Sequence, residues 1–187
     1  AYTDLQGGNV DIIDTLPPDA IASAESEFGD RYIETVQGDI TSLGFPTYDE
    51  RYADPRVRRA FSMAIDRQSI SDAIFNGTRT PATSFLNPVI NGYRDDACDA
   101  CELNVEEANR LLDEAGFDRS QPVDLWFNGG AGHDAWMEAV GNQLRENLNL
   151  EYQLRGELQQ AEFLPLLSAA ADVEQFGDAR QPRRKRV

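Results

Sequence analysis

The sequence predicts an α/β domain built around one βαβ unit with flanking helices. Three patterns carry that prediction. Apolar residues alternate at Val123, Leu125 and Phe127 and again at Leu150, Tyr152 and Leu154, as in strands. Between them Trp136, Val140, Leu144 and Leu148 recur every four residues, as on one face of a helix. Upstream, two capped amphipathic stretches begin at Asp54 and Asn104. Strand, helix and strand in that order imply parallel strands joined right-handedly.

Taken in order, Val10 to Ile13 form a short apolar run, after which Pro17 and Pro18 forbid a continuous element and Asp19 is placed to cap a short helix. From Arg31 to Phe45, Tyr32, Ile33, Val36, Ile40, Leu43 and Phe45 lean towards extended chain interrupted by glycines. A polar connection then leads into "DPRVRRAFSMAIDR". Asp54 is a good N-cap and Pro55 suits the first turn, where a missing N–H costs nothing. Val57, Ala60, Phe61, Ala64 and Ile65 make one apolar stripe, so Arg56, Arg58 and Arg59 fall beside it. Ile70, Ala73, Ile74 and Phe75 continue a helical pattern that Gly77 can stop.

After a loop rich in proline, asparagine and glycine over residues 78–103, "NVEEANRLLDEAGF" predicts a second helix. Asn104 caps it, Glu107 completes a capping box, Ala108, Leu111, Leu112 and Ala115 form its buried face and Gly116 ends it. The βαβ unit follows, and a last helix is expected over about Gln159 to Ala170, interrupted by Pro165.

Composition bounds the function. The 187 residues suffice for one ordinary domain or slightly more, with a core that needs no metal or disulfide staple. No run approaches the roughly 20 apolar residues that span a bilayer. A formal charge of -16, with Lys185 the only lysine, repels nucleic acid over most of the surface. Local basicity is confined to Arg180, Arg183, Arg184, Lys185 and Arg186, a compositionally foreign tail. Cys98 and Cys101 stand as CDAC, a spacing that permits a tight disulfide, a redox pair or half of a metal site. Zinc needs about four ligands and only His133 is available besides, so a structural disulfide is favoured; that chemistry places the protein outside the cytosol.

Chemical motifs are sparse. Gly130, Gly132 and Ala135 satisfy G-x-G-x-x-A between a strand and a helix, as a dinucleotide site requires. Against this, Asp134 competes for the anion-binding amides, and no acid marks the tip of the next strand, where Glu151 begins and Glu157 follows. A tight strand-to-helix turn explains the glycines better. His133 is the single histidine and no nucleophile elbow accompanies it, so no catalytic triad is expected.

The order of segments is more specific than any motif. "DPRVRRAFSMAIDRQSISDAIFNGT", then "PATSFLNPVINGY", then "NVEEANRLLDEAGF" resembles the extracytoplasmic solute-binding proteins of family 5, the oligopeptide, dipeptide and nickel binders of ABC importers. "LQGGNVDIIDTLPPDA" resembles the end of that family's first lobe and "TSLGFPTYDERYADP" its interlobe strand. The resemblance spans about residues 1–170. Its family has a tryptophan–aspartate–tyrosine–proline stretch where "ADVEQFGDARQPRRKRV" stands here, so the usual ligand-anchoring aspartate is missing.

The resemblance implies a type II periplasmic-binding-protein-like fold, with residues 1–45 ending the first lobe and forming the hinge strand, 46–175 belonging to the second lobe and 176–187 an atypical tail. The chain would then be one lobe plus hinge of a larger protein. Arg58 and Arg59 would be scaffold residues, and Cys98 and Cys101 a short disulfide loop. It implies no enzyme activity and no cofactor. The partners it implies are a peptide or other small solute and ABC permease subunits, with the membrane touched only through a lipid anchor on the full-length protein, at an extracytoplasmic location. Ligand contacts are expected from Ser42, Leu43, Gly44 and Phe45 in the hinge, Ser84, Phe85 and Leu86 in the proline-rich loop, and Asn128, Gly129 and Gly130 at the strand end, where α/β ligands tend to lie. A cleft lined by backbone groups suits peptides of varied sequence. The alternative is a dinucleotide-binding or enzyme domain using the Gly130–Gly132 turn.

Overall fold

In this computed structural model, residues 1–158 are described except 36 and 131, with backbone alone at 18 and 19. The expected helix over 159–170 and the basic tail lie outside the described residues. The elements in chain order are α1 (Tyr2–Gln6), α2 (Pro18–Phe28), α3 (Glu50–Ala53), α4 (Pro55–Met63), α5 (Arg67–Phe75), α6 (Val105–Glu114), β1 (Val123–Trp126), α7 (Asp134–Leu148) and β2 (Tyr152–Arg155), with short 3-10 turns at Gly29–Arg31 and Asp99–Cys101. Backbone contacts divide the chain into two compact units. One comprises Ala1–Thr41 and Arg67–Asp99; the other comprises Ser42–Asp66 and the chain from Ala100 onward.

In the second unit α4 starts as predicted. Asp54 Oδ1 accepts the Arg56 N–H at 2.8 Å while Pro55 occupies the first turn. The Arg56 side chain also donates to this carboxylate and holds it below the usual range. The predicted stripe is buried in full: Val57, Ala60, Phe61, Ala64 and Ile65. The continuous helical pattern, however, is broken. α4 stops at Met63 and α5 begins at Arg67 because two amides one turn apart on α7 take over the backbone between them. Gln143 Oε1 accepts the Asp66 N–H at 2.7 Å and its Nε2 donates to the Asp66 carbonyl, while Asn147 Nδ2 donates to the Ala64 carbonyl at 2.8 Å.

α6 packs on α4 and α7. Its start corrects the predicted capping box. Asn104 Oδ1 accepts the Glu107 N–H at 3.0 Å, but the Asn104 N–H donates to the Met63 carbonyl at 2.8 Å, so Glu107 has no amide to reach back to and pairs with Arg110 instead. The helix closes as predicted at Gly116. The Phe117 N–H bonds to Leu112 and the Gly116 N–H to Asp113, the paired pattern of a Schellman end.

Phe117 thereby enters an aromatic cluster with Phe45, Tyr52 and Phe61, its ring centroid 5.6 Å from that of Phe61 and 6.3 Å from that of Tyr52. Phe45 completes the cluster at 6.0 Å from Tyr52 and 5.8 Å from Phe61. Burial pushes the Tyr52 hydroxyl pKa up. Tyr52 and Phe61, the two buried rings, contribute about 1.5–3 kcal/mol each, and the half-buried Phe45 and Phe117 less.

The two strands pair in parallel, as the βαβ reading requires, with Val123 opposite Tyr152 and Trp126 opposite Arg155. β1 shows the expected alternation. Val123, Leu125 and Phe127 are buried while Asp124 and Trp126 face out. Along α7, Val140, Leu144 and Leu148 are buried, but Met137 rather than Trp136 completes the face; Trp136 instead donates to His133 Nδ1 at 3.0 Å.

In the first unit α1 and α2 are joined by Tyr2 and Gln6 bonding to Glu27 and by the Tyr2–Phe28 ring contact. Pro17, not Asp19, stands at the N-cap of α2, because the helix begins at Pro18, whose fixed φ suits the first turn. Residues 31–45, read as extended chain, join no ladder among the described residues, where the strand pairing is β1 with β2. Cys98 and Cys101 are disulfide-bonded and no cysteine is free.

Two outcomes are expected. Thiol labelling without reductant should find no reactive cysteine in the folded chain, and two labelled thiols would contradict the bridge. Gly141 on α7 lies against Tyr152, where an added Cβ would fall 2.3 Å from the ring. That ring is held by its hydroxyl bond to Asn142 and by the Arg145 guanidinium 5.3 Å away. Gly141→Ala should therefore lose about 1–3 kcal/mol to overpacking despite better helix propensity. Urea titration should show the loss, and a smaller residue at 152 should relieve it.

Candidate functional site

The three segments expected to touch ligand are divided between the two units. Ser84, Phe85 and Leu86 belong to the first unit, in an irregular stretch whose turn is set locally. Ser84 Oγ accepts the Leu86 N–H at 3.3 Å, and Asn87 Nδ2 donates to the Gln37 and Asp39 carbonyls. This fixes the loop against residues 37–39 by backbone acceptors that any side chains there would leave available. Phe85 is 90% exposed, far more than an aromatic ring ordinarily is. Nearby in sequence, the Thr83 and Tyr93 hydroxyls donate to Asp95 and hold its carboxyl below the usual carboxylate range.

Ser42–Phe45 and Asn128–Gly130 belong to the second unit. Ser42 and Gly44 are exposed and Leu43 is half-buried, whereas the Phe45 ring packs into the aromatic cluster. Phe45 thus anchors this segment to α3 and α4, leaving its neighbours to face solvent. Asn128 is half-buried and Gly129 buried, the Gly129 N–H donating to the Leu158 carbonyl at 2.7 Å; Gly130 is exposed. Sequence reasoning missed two features here. One is Trp126, 49% exposed on the outer face of β1 beside this turn. The other is Arg155, opposite Trp126 and bonded to Asp124 at 3.1 Å. The alternation of β1 signalled that Trp126 points away from the core, but nothing in the sequence said that this face is open.

The glycine turn itself has a backbone explanation. Gly130 has φ 73° and Gly132 φ 78°, in the left-handed region that favours glycine, and no heavy atom lies within 4 Å of a Cβ built on Gly132. Conformation, not close approach of a neighbouring group, requires it. Asp134 opens α7, placing a carboxylate at the helix start where a dinucleotide phosphate would sit.

A shallow recess of about 280 Å³ occurs elsewhere in the second unit, lined by Glu50, Arg51, Asp54, Val57, Gly116 and Phe117 among others. None of the expected ligand residues lines it. Among the described residues no helix is long and apolar enough to cross a membrane.

Comparison with known proteins separates the two functional readings. The family described as bacterial extracellular solute-binding proteins, family 5 Middle, matches residues 1–179. Heme-binding protein A of Haemophilus influenzae is 29% identical over 128 residues, which are 67% of this chain and 23% of that protein. The dipeptide-binding protein of Escherichia coli is 26% identical over 125 residues, again 67% of this chain and 23% of the relative. Among solved structures, Haemophilus influenzae OppA in complex with RPPGFSPFR superposes with a TM-score of 0.73 at 20% identity, covering 91% of this chain and 35% of that one. The chain therefore spans about a quarter to a third of the proteins it matches, and these relatives are solute-binding proteins, not enzymes. The dinucleotide reading gains no support from any of them. With the match running through both units, the chain belongs to the family 5 extracellular solute-binding proteins, and its fold is that of the type II periplasmic binding proteins.

Proposed function

We propose that this chain is part of the substrate-binding component of an ABC importer, which takes an oligopeptide or similar solute into a cleft between lobes and delivers it to membrane permease subunits. The observation that carries this reading is the family match along residues 1–179, supported by relatives named for binding dipeptides and heme. On the same reading residues 1–45 close the first lobe and supply the hinge segment, and 46–175 belong to the second lobe. The full-length protein works outside the cytoplasmic membrane and is held to it by a lipid anchor. The disulfide suits such a compartment.

Ser42–Phe45, Ser84–Leu86 and Asn128–Gly130 are proposed to contribute ligand contacts. Two of them offer chemistry suited to peptides: the exposed chain at Ser42 and Gly44, and the exposed apolar ring of Phe85.

Calorimetry on the full-length parent tests the proposal. A mixed oligopeptide pool should release heat of binding, whereas NAD should not. Nucleotide binding that Gly132→Asp abolished would overturn the reading. Because Phe85 is exposed, Phe85→Ala should leave the melting temperature unchanged while weakening peptide binding by about 1–2 kcal/mol, roughly 5- to 30-fold. Unchanged affinity would remove residue 85 from the contact surface without touching the family assignment.

A further inference from the structure

We propose that this fold is adapted to concentrated salt and loses stability at low ionic strength, because many of its carboxylates stand exposed without an ion-pair partner among the described residues and outnumber the cations that could compensate them. The proposal does not depend on which solute the protein binds.

The imbalance begins in the sequence, with 33 acidic against 17 basic side chains and a net charge of -16. The structure fixes several arginines on backbone carbonyls. Arg51 donates from Nη1 to the Pro122 carbonyl at 2.9 Å and from Nη2 to that of Gln121. Arg58 donates to the Tyr52 and Ala53 carbonyls at 2.8 and 2.7 Å. Arg119 reaches the Leu148 and Asn109 carbonyls and Arg56 that of Glu114, besides their single carboxylate partners Asp113 and Asp54. The guanidinium fork suits this work because several donors leave one plane, so one side chain ties two acceptors. An arginine bonded to a carbonyl keeps its positive charge, but that charge is fixed at the carbonyl and not beside an exposed carboxylate.

The anions are distributed in the opposite way. Asp11, Asp14, Asp39, Glu138, Glu146 and Glu151 are all exposed, and none takes part in an ion pair among the described residues. Glu146 also lies in the last turn of α7, where the helix's own partial charge is negative. Like charges held at fixed positions on a compact surface repel, and unfolding relieves them by spreading the chain. Salt removes the penalty instead, since the screening length falls from about 10 Å at 0.1 M to about 3 Å at 1 M. The few exposed ion pairs lose attraction in the same change, but they are outnumbered.

Thermal unfolding of the 187-residue chain, followed by circular dichroism at 0.1 M and 2 M NaCl, tests this. The melting temperature is expected to rise by about 10 °C or more with salt. A transition seen only at 2 M would support the proposal equally. A sixfold variant carrying Asp11→Asn, Asp14→Asn, Asp39→Asn, Glu138→Gln, Glu146→Gln and Glu151→Gln should melt higher than the wild type at 0.1 M and lose about half of the salt gain. A melting temperature that is flat or falls with salt overturns the proposal. So does a variant that keeps the whole gain, because exclusion of salt from any protein surface would then account for the rise.

Discussion

The second unit depends on one contact region, the aromatic cluster where α3, α4 and the end of α6 meet. Phe45, Tyr52, Phe61 and Phe117 come from four separate stretches of chain, and their rings lie edge-on or tilted at centroid distances of 5.6 to 6.3 Å. Such geometry sets the positive edge of one ring against the negative face of the next. Arg51 then stacks 5.1 Å from the Phe117 centroid and ties the chain entering β1 through the Gln121 and Pro122 carbonyls. The cluster is thus coupled to the first strand of the sheet.

From that point the sheet and α7 follow. β1 delivers Val123, Leu125 and Phe127 to the core, β2 pairs with it in parallel, and α7 between them presents Met137, Val140, Leu144 and Leu148. A second network ties α6 to α7 through polar groups. Asn109 Nδ2 donates to the Asn147 carbonyl, while Arg119 bonds to Asn109 Oδ1 and to the Leu148 carbonyl. Buried backbone acceptors at helix ends cost stability when unpaired, so these side chains replace water that the packing excludes. The same need explains why α4 and α5 are separate helices, with Gln143 and Asn147 satisfying the backbone where helical bonding stops.

Each candidate ligand segment separates anchoring from presentation within its own unit. Phe45 packs into the aromatic cluster while Ser42 and Gly44 are exposed, and the Gly129 N–H bonds to Leu158 while Gly130 is exposed. In the first unit Asn87 fixes the loop from below while Phe85 stands exposed. Rigid support under an accessible backbone is what a receptor for main-chain groups needs, because ordering a loose loop on binding would cost affinity.

The sequence alone determined the elements whose signals are local. Asp54 and Asn104 caps, the α4 stripe, the Gly116 stop and the alternation of β1 depend on residues within a turn or two, and periodic burial makes them readable. The family was legible in the order of those segments, and CDAC was legible as a bridge because four residues hold both sulfurs close. Tertiary structure alone decided what depends on distant neighbours. Gln143 and Asn147 ended α4 from α7, Met63 took the amide that a capping box would have used, and Tyr152 claimed the space beside Gly141. That no ladder forms among the described residues at 31–45, and that Phe85 and Trp126 are exposed, are of the same kind. Apolar spacing says that a residue has a face, but only the folded chain says whether anything lies against it, since backbone pairing and burial are properties of two segments at once.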